Sequence, residues 1–183
     1  MFTLRAVVSA VALLMVVGPV AAADVGSNLG RPISAEDLSP WAINAFPSGK
    51  GLPAGSGTAA KGADVFAIHC AACHGDKGQG GLAPALITDV KRKGIDEGTV
   101  TIANYWPYAT TIFDYVRRAM PWQSPRSLTD EEVYSLTAFI LAENHLIPED
   151  EVVDAQSLPK VRMPNVDGFI VRFPKLTPPM RDR

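Results

Sequence analysis

The sequence predicts an all-α domain held between two extended, irregular arms. Helical periodicity is confined to residues 57–146 of the 183-residue chain. The fifteen glycines and fifteen prolines are unevenly placed and break up both flanks. No alternation of apolar and polar residues runs long enough to predict a useful strand.

The N-terminus, MFTLRAVVSAVALLMVVGPVAAAD, has one positive charge at Arg5, an apolar run from Ala6 to about Val17, and small residues Ala21-Ala22-Ala23 before Asp24. This is the layout of a secretory signal peptide, residues 1–23. Gly18-Pro19 cuts the apolar run short of the roughly 20 residues a membrane span needs. The mature chain is therefore expected in the periplasm, with no stable membrane insertion after cleavage. Formal charge is −2 with no basic cluster suited to nucleic acid, and no heptads or internal repeats occur.

Residues 24–56 are rich in Pro, Gly and Ser and read as an extended N-terminal arm, with one helical turn near Ala35–Leu38. A first helix is predicted from N-cap Thr58 to about Ala72. Gly62, Phe66 and Cys70 share one of its faces, and the glycine there permits another helix to approach closely. A second helix is predicted over Thr111–Ala119 with Thr110 as N-cap. The third starts at the capping box Thr129-Asp130-Glu131-Glu132, carries Val133, Leu136, Thr137 and Ile140 at helical spacing, and ends near Asn144. Residues 147–183 hold prolines at 159, 164, 174, 178 and 179, which forbid a long helix. The same tail has too much apolar surface for a solvated segment, so it is expected to pack over the domain or a partner. Trp41, Phe46, Phe169 and Phe173 in the two arms are expected to find cover in the same way.

The chemistry lies in HCAACHGDKGQGG, His69 to Gly81, which contains both cysteines of the chain. A thioredoxin-like redox pair belongs beside a βαβ unit, and no strands are predicted. Structural zinc needs four ligands, and His69, His74 and His145 do not supply the missing half. A disulfide across two intervening residues of a helix is geometrically awkward. Cys70-Ala71-Ala72-Cys73-His74 is instead the attachment signature of c-type haem. Two thioethers pin the porphyrin to one helical turn, and the adjacent His74 presents its imidazole to the iron. One covalently attached haem c is the predicted cofactor.

At these residues the sequence resembles the class I cytochrome c family. Gly62, Phe66 and Cys70 to Gly75 match its first helix and haem motif, and Leu136 with Phe139-Ile140 match its last helix. The resemblance implies the class I fold over residues 57–146, with the last helix crossing the first at the glycine. It implies that Pro84, in Ala83-Pro84-Ala85-Leu86, accepts a hydrogen bond from the ring of His74. It also implies that the sixth iron ligand is Met120, in RRAMPWQSP, the metal ligands then being His74 and Met120. Met163 or an open position remain alternatives, while Met180, His145 and His69 are weaker candidates. Tyr105, Trp106 and Tyr108 are candidates for the haem edge or a propionate, against a plain core role. Arg117 and Arg118 read as solvated, with one of them a candidate propionate partner. Lys91-Arg92-Lys93 is given no function.

Across most of residues 29–170 the chain resembles, more narrowly, the cytochrome c subunits of sulfur-oxidising molybdenum enzymes, the sulfane dehydrogenase of the Sox system and sulfite dehydrogenase. The resemblance implies a one-electron carrier that accepts electrons from a molybdenum-containing sulfur-compound dehydrogenase subunit. It would pass them to a downstream cytochrome c or oxidase, with no independent catalytic site in this chain. The alternative is a free periplasmic shuttle. A haem enzyme acting directly on substrate fits less well, since haem consumes both cysteines.

Overall fold

Thr129 and Glu132 begin the helix around which the domain is built. The Thr129 hydroxyl accepts from the Glu132 amide (3.2 Å), and the Glu132 carboxylate accepts from the Thr129 amide (2.8 Å). Such a box satisfies two of the amides a helix start leaves open. The computed structural model describes residues 30, 32–88 and 100–170. The signal peptide, the basic run Lys91-Arg92-Lys93, Phe173 and Met180 lie outside the described residues. The chain divides into two compact units, residues 1–38 and 39–183.

Of the first unit, α1 (Ala35–Leu38) is described, capped by the Ser34 hydroxyl on the Asp37 amide at 3.0 Å. The second unit holds β1 (Ser56–Thr58), α2 (Ala59–His69), α3 (Ala71–His74), α4 (Ile102–Tyr105), α5 (Ala109–Ala119), α6 (Asp130–Glu143) and β2 (Val152–Asp154), then a 3-10 turn at Leu158–Lys160. Every residue of α6 from Val133 to Ala142 is buried, which makes it the central helix. It packs on α2 through Phe66 and Phe139, whose ring centroids lie 4.9 Å apart. It packs on α5 through Phe113 and Tyr134, at 4.5 Å.

Gly62 sits at the α2–α6 crossing, where a Cβ would stand 2.0 Å from the Ser135 carbonyl oxygen and 2.7 Å from Phe139 Cβ. Only a residue without Cβ allows this approach. The predicted first helix is thus present with Thr58 as its cap, but it is broken at Cys70, whose φ of −124° leaves the helical region. The second predicted helix begins two residues early, with Tyr108 rather than Thr110 as N-cap.

The fold is mostly helical, with one small addition the sequence did not announce. β1 and β2 pair antiparallel, with Gly57 opposite Val153. Three-residue strands are too short to show alternation. This pairing brings the C-terminal tail back over the domain, where Val153, Leu158 and Met163 are buried in the core. The N-terminal arm is strapped down as well. The Asp114 carboxylate accepts from the Ala45 amide at 2.8 Å, and Tyr134 donates its hydroxyl to the Pro53 carbonyl at 2.8 Å. Burial pushes the Tyr134 phenol up to about 12. Not every arm residue finds cover: Trp41 is 72% exposed and Ile170 94% exposed. Among the described residues no helix is long and apolar enough to cross a membrane.

Candidate cofactor site

The last turn of α2 and the short α3 carry Cys70, Cys73 and His74 onto the wall of one cavity. The turn is continuous by hydrogen bonding even where the helix breaks, since the amides of Cys73 and His74 both donate to the Cys70 carbonyl, at 3.1 and 3.0 Å. Gly75, at φ +82°, then turns the chain out of α3. The glycine-rich loop that follows folds back on it. Gly80 donates to the His74 carbonyl (2.7 Å) and Ala83 to the Cys73 carbonyl (2.8 Å). These bonds deliver Pro84 to the imidazole.

His74 Nδ1 lies 2.8 Å from the Pro84 carbonyl oxygen. A carbonyl can only accept, so Nδ1 carries the proton and Nε2 is left as the basic nitrogen. This bond fixes both the tautomer and the ring plane of a metal-ligating histidine. A further strut, not predicted from sequence, holds the same loop to the end of α6. The Asn144 amide donates to the Leu86 and Ile140 carbonyls (3.1 and 2.7 Å), and its oxygen accepts from the Thr88 amide (3.1 Å).

The cavity measures about 720 Å³ and is lined mainly by apolar and aromatic side chains, among them Phe66, Leu86, Ile102, Trp106, Leu136 and Ile140. That volume lies within the roughly 300–1,000 Å³ of cofactor pockets. Cys70, Cys73, His74, Pro84 and Met120 all line it, so the five residues singled out in sequence come together. Met120 reaches it as the residue that closes α5. Met163 does not: it is 1% exposed within the apolar core. His145 is exposed beyond α6, while His69 lines the cavity wall beside the cysteines.

Tyr105 and Trp106 line the cavity, and Trp106 meets Tyr115 edge-on at 5.4 Å. Tyr108 is exposed and does not line the cavity, and its backbone pairs with Arg162 of the tail. The two arginines are engaged elsewhere than at a propionate. Arg117 pairs with Asp130 (3.0 Å) and donates to the Ile43 carbonyl, while Arg118 pairs with Asp114 (2.9 Å) and donates to the Asn44 side chain at 2.7 Å. Both hold the arm, a role that no local sequence signal announces.

The residues fit haem c and fit the alternatives poorly. Both cysteines are free of a disulfide. As a thiol Cys70 is pushed up to about 11, by burial first and by the neighbouring Cys73 second. Redox dithiols need the opposite shift. Among the described residues no group of three or more His, Cys, Asp or Glu could hold a metal ion by itself. The wall also holds an unexplained polar atom, the hydroxyl of Thr101.

The family model for cytochrome c matches residues 59–143. A chain in the crystal structure of the sulfane dehydrogenase SoxCD from Paracoccus pantotrophus is similar at 35% identity, with a TM-score of 0.72, over 86% of this chain and 78% of that one. The chain belongs to the cytochrome c family. Its architecture is the class I cytochrome c fold, and it carries a covalently bound c-type haem. Comparison with curated proteins found no match.

Proposed function

We propose that this cytochrome is the electron-accepting subunit of a molybdenum-dependent dehydrogenase of sulfur compounds, sulfite or sulfane, exported to the periplasm. The extent of the likeness to the sulfane dehydrogenase chain carries the reading. That likeness covers 86% of the protein, whereas the cytochrome c model accounts for residues 59–143, under half of it. The shared part therefore includes arms that a simple shuttle has no use for.

Bound haem supplies a one-electron iron couple. In this reading Cys70 and Cys73 provide the thioether sulfurs, and His74 offers Nε2 to the iron because its other nitrogen is tied to Pro84. Met120 would hold the iron through its thioether sulfur. It lines the same cavity as His74, which Met163 does not. A thioether ligand raises the reduction potential, as an acceptor of electrons from a donor enzyme requires. The apolar wall around Phe66, Leu136 and Ile140 excludes water and pushes the potential the same way.

Two measurements test the assignment. Haem is expected to stay with the chain through denaturation and acid–acetone extraction, and Cys70→Ala or Cys73→Ala to impair maturation. Native mass spectrometry of the protein from its own source is expected to show it bound to a molybdenum-containing subunit. A haem protein recovered only as the free chain at high concentration would favour the shuttle instead. Electrons would leave to a downstream cytochrome c or oxidase.

A further inference from the structure

Thr101 is 3% exposed and lines the cavity beside Ile102 and Tyr105. Its backbone amide is satisfied by the Asn104 side chain at 2.9 Å, and its hydroxyl oxygen faces the Asn104 amide across a capping box, too loosely for a hydrogen bond, while no acceptor meets the hydroxyl proton. Burying a hydroxyl without a partner costs on the order of 1–3 kcal/mol, so such a group calls for an explanation. The other such hydroxyl among the described residues, that of Thr110, is also buried but is not on the cavity wall.

We infer that the Thr101 hydroxyl donates a hydrogen bond to a propionate carboxylate of the haem. The inference rests on haem occupying this cavity. A threonine hydroxyl needs an acceptor when it donates, and a haem edge offers carboxylates as its strong acceptors. The described lining contains no Arg or Lys that would take up a carboxylate first. Arg117 and Arg118, the cations nearest along the chain among the described residues, are held by Asp130 and Asp114. Among the described lining residues, Thr101 is the one whose fully buried hydroxyl is left unsatisfied. Such a bond disperses negative charge near the iron, and its loss favours the ferric state.

The test uses the holoprotein at a fixed, mildly alkaline pH, comparing Thr101→Val, Thr101→Ser and, as a control, Thr110→Val. Spectroelectrochemistry gives the midpoint potential, and redox-difference infrared spectroscopy reads the propionate carboxylate bands. Thr101→Val is expected to lower the potential and shift the carboxylate bands, Thr101→Ser to restore both, and Thr110→Val to leave both unmoved. Unchanged bands and potential in Thr101→Val would overturn the inference, as would an equal shift in the serine variant. A change confined to the sulfur-to-iron absorption band would overturn it too, by placing the hydroxyl on Met120. The haem content of the wild-type protein separately reports whether the cavity holds haem, so a failure there is not confused with a failure of Thr101.

Discussion

Gly62 of α2 lies against the Ser135 carbonyl of α6, so close that a methyl group at 62 would come within 2.0 Å of the oxygen. The obstacle is backbone, which cannot swing aside as a side-chain tip can. Gly62→Ala gains helix propensity worth up to about 1 kcal/mol, yet must push apart the crossing that sets Phe66 on Phe139. Overpacking of this kind costs ~1–3 kcal/mol, and the rigid neighbour puts it toward the upper end. We expect a net loss in denaturant titration of the holoprotein and a lower Tm.

The two candidate methionines separate cleanly. Met120 lines the cavity and Met163 is packed in the core, 1% exposed. In our reading Met120→Ala abolishes the weak sulfur-to-iron absorption band of the oxidised protein and lowers its potential, with a smaller effect on folding. Met163→Ala is expected to keep the band while costing ~2–5 kcal/mol of stability, as for other buried truncations to alanine. Loss of the band in Met163→Ala alone would reverse the assignment.

Much of this arrangement could be read from the chain, and the exceptions share a physical cause. α2, α5 and α6 announce themselves because helical spacing and a capping box are local signals, and the haem motif is local too. α4, β1 and β2 are three or four residues long, too short to show a period. The break at Cys70 and the Asn144 strut depend on loops returning from elsewhere. The same holds for Arg117, which reads as a solvated residue yet reaches the Ile43 carbonyl 74 positions away in sequence. Thr101 carries no sequence signal at all; only its burial without a partner marks it.

The arm makes a separate prediction. Asp114 accepts from the Ala45 amide at 2.8 Å and pairs with Arg118 at 2.9 Å. The ion pair is partly exposed and contributes only about 0.3–0.5 kcal/mol, while the bond to a charged acceptor contributes more. Asp114→Ala is expected to cost about 1–2 kcal/mol in total. Hydrogen exchange should rise around residues 43–46, with little change near Cys70. Uniformly faster exchange across the domain would contradict a local strap.

Acid stability offers a fourth check. The Thr129 amide, first among several causes, holds the Glu132 carboxyl below its ordinary value of 4.5. A group whose folded value is depressed stabilises the fold above its unfolded value and loses that contribution as pH falls through the folded one. The wild-type protein should therefore lose part of its stability as pH drops below about 4.5. Glu132→Gln can still cap the helix but does not titrate, so its stability profile should be flatter in that window. Identical profiles for the two proteins would show that the carboxylate contributes nothing.

The central claim is that this cytochrome takes electrons from a molybdenum dehydrogenase of sulfur compounds. Stopped-flow mixing of the ferric holoprotein with a molybdenum-containing dehydrogenase subunit from the same source, in the presence of sulfite or a protein-bound sulfane, tests it most directly. We predict substrate-dependent haem reduction within the turnover time of the enzyme, with at most one electron taken per cytochrome. Reduction no faster than that of an unrelated soluble cytochrome c, with either substrate, would contradict the account.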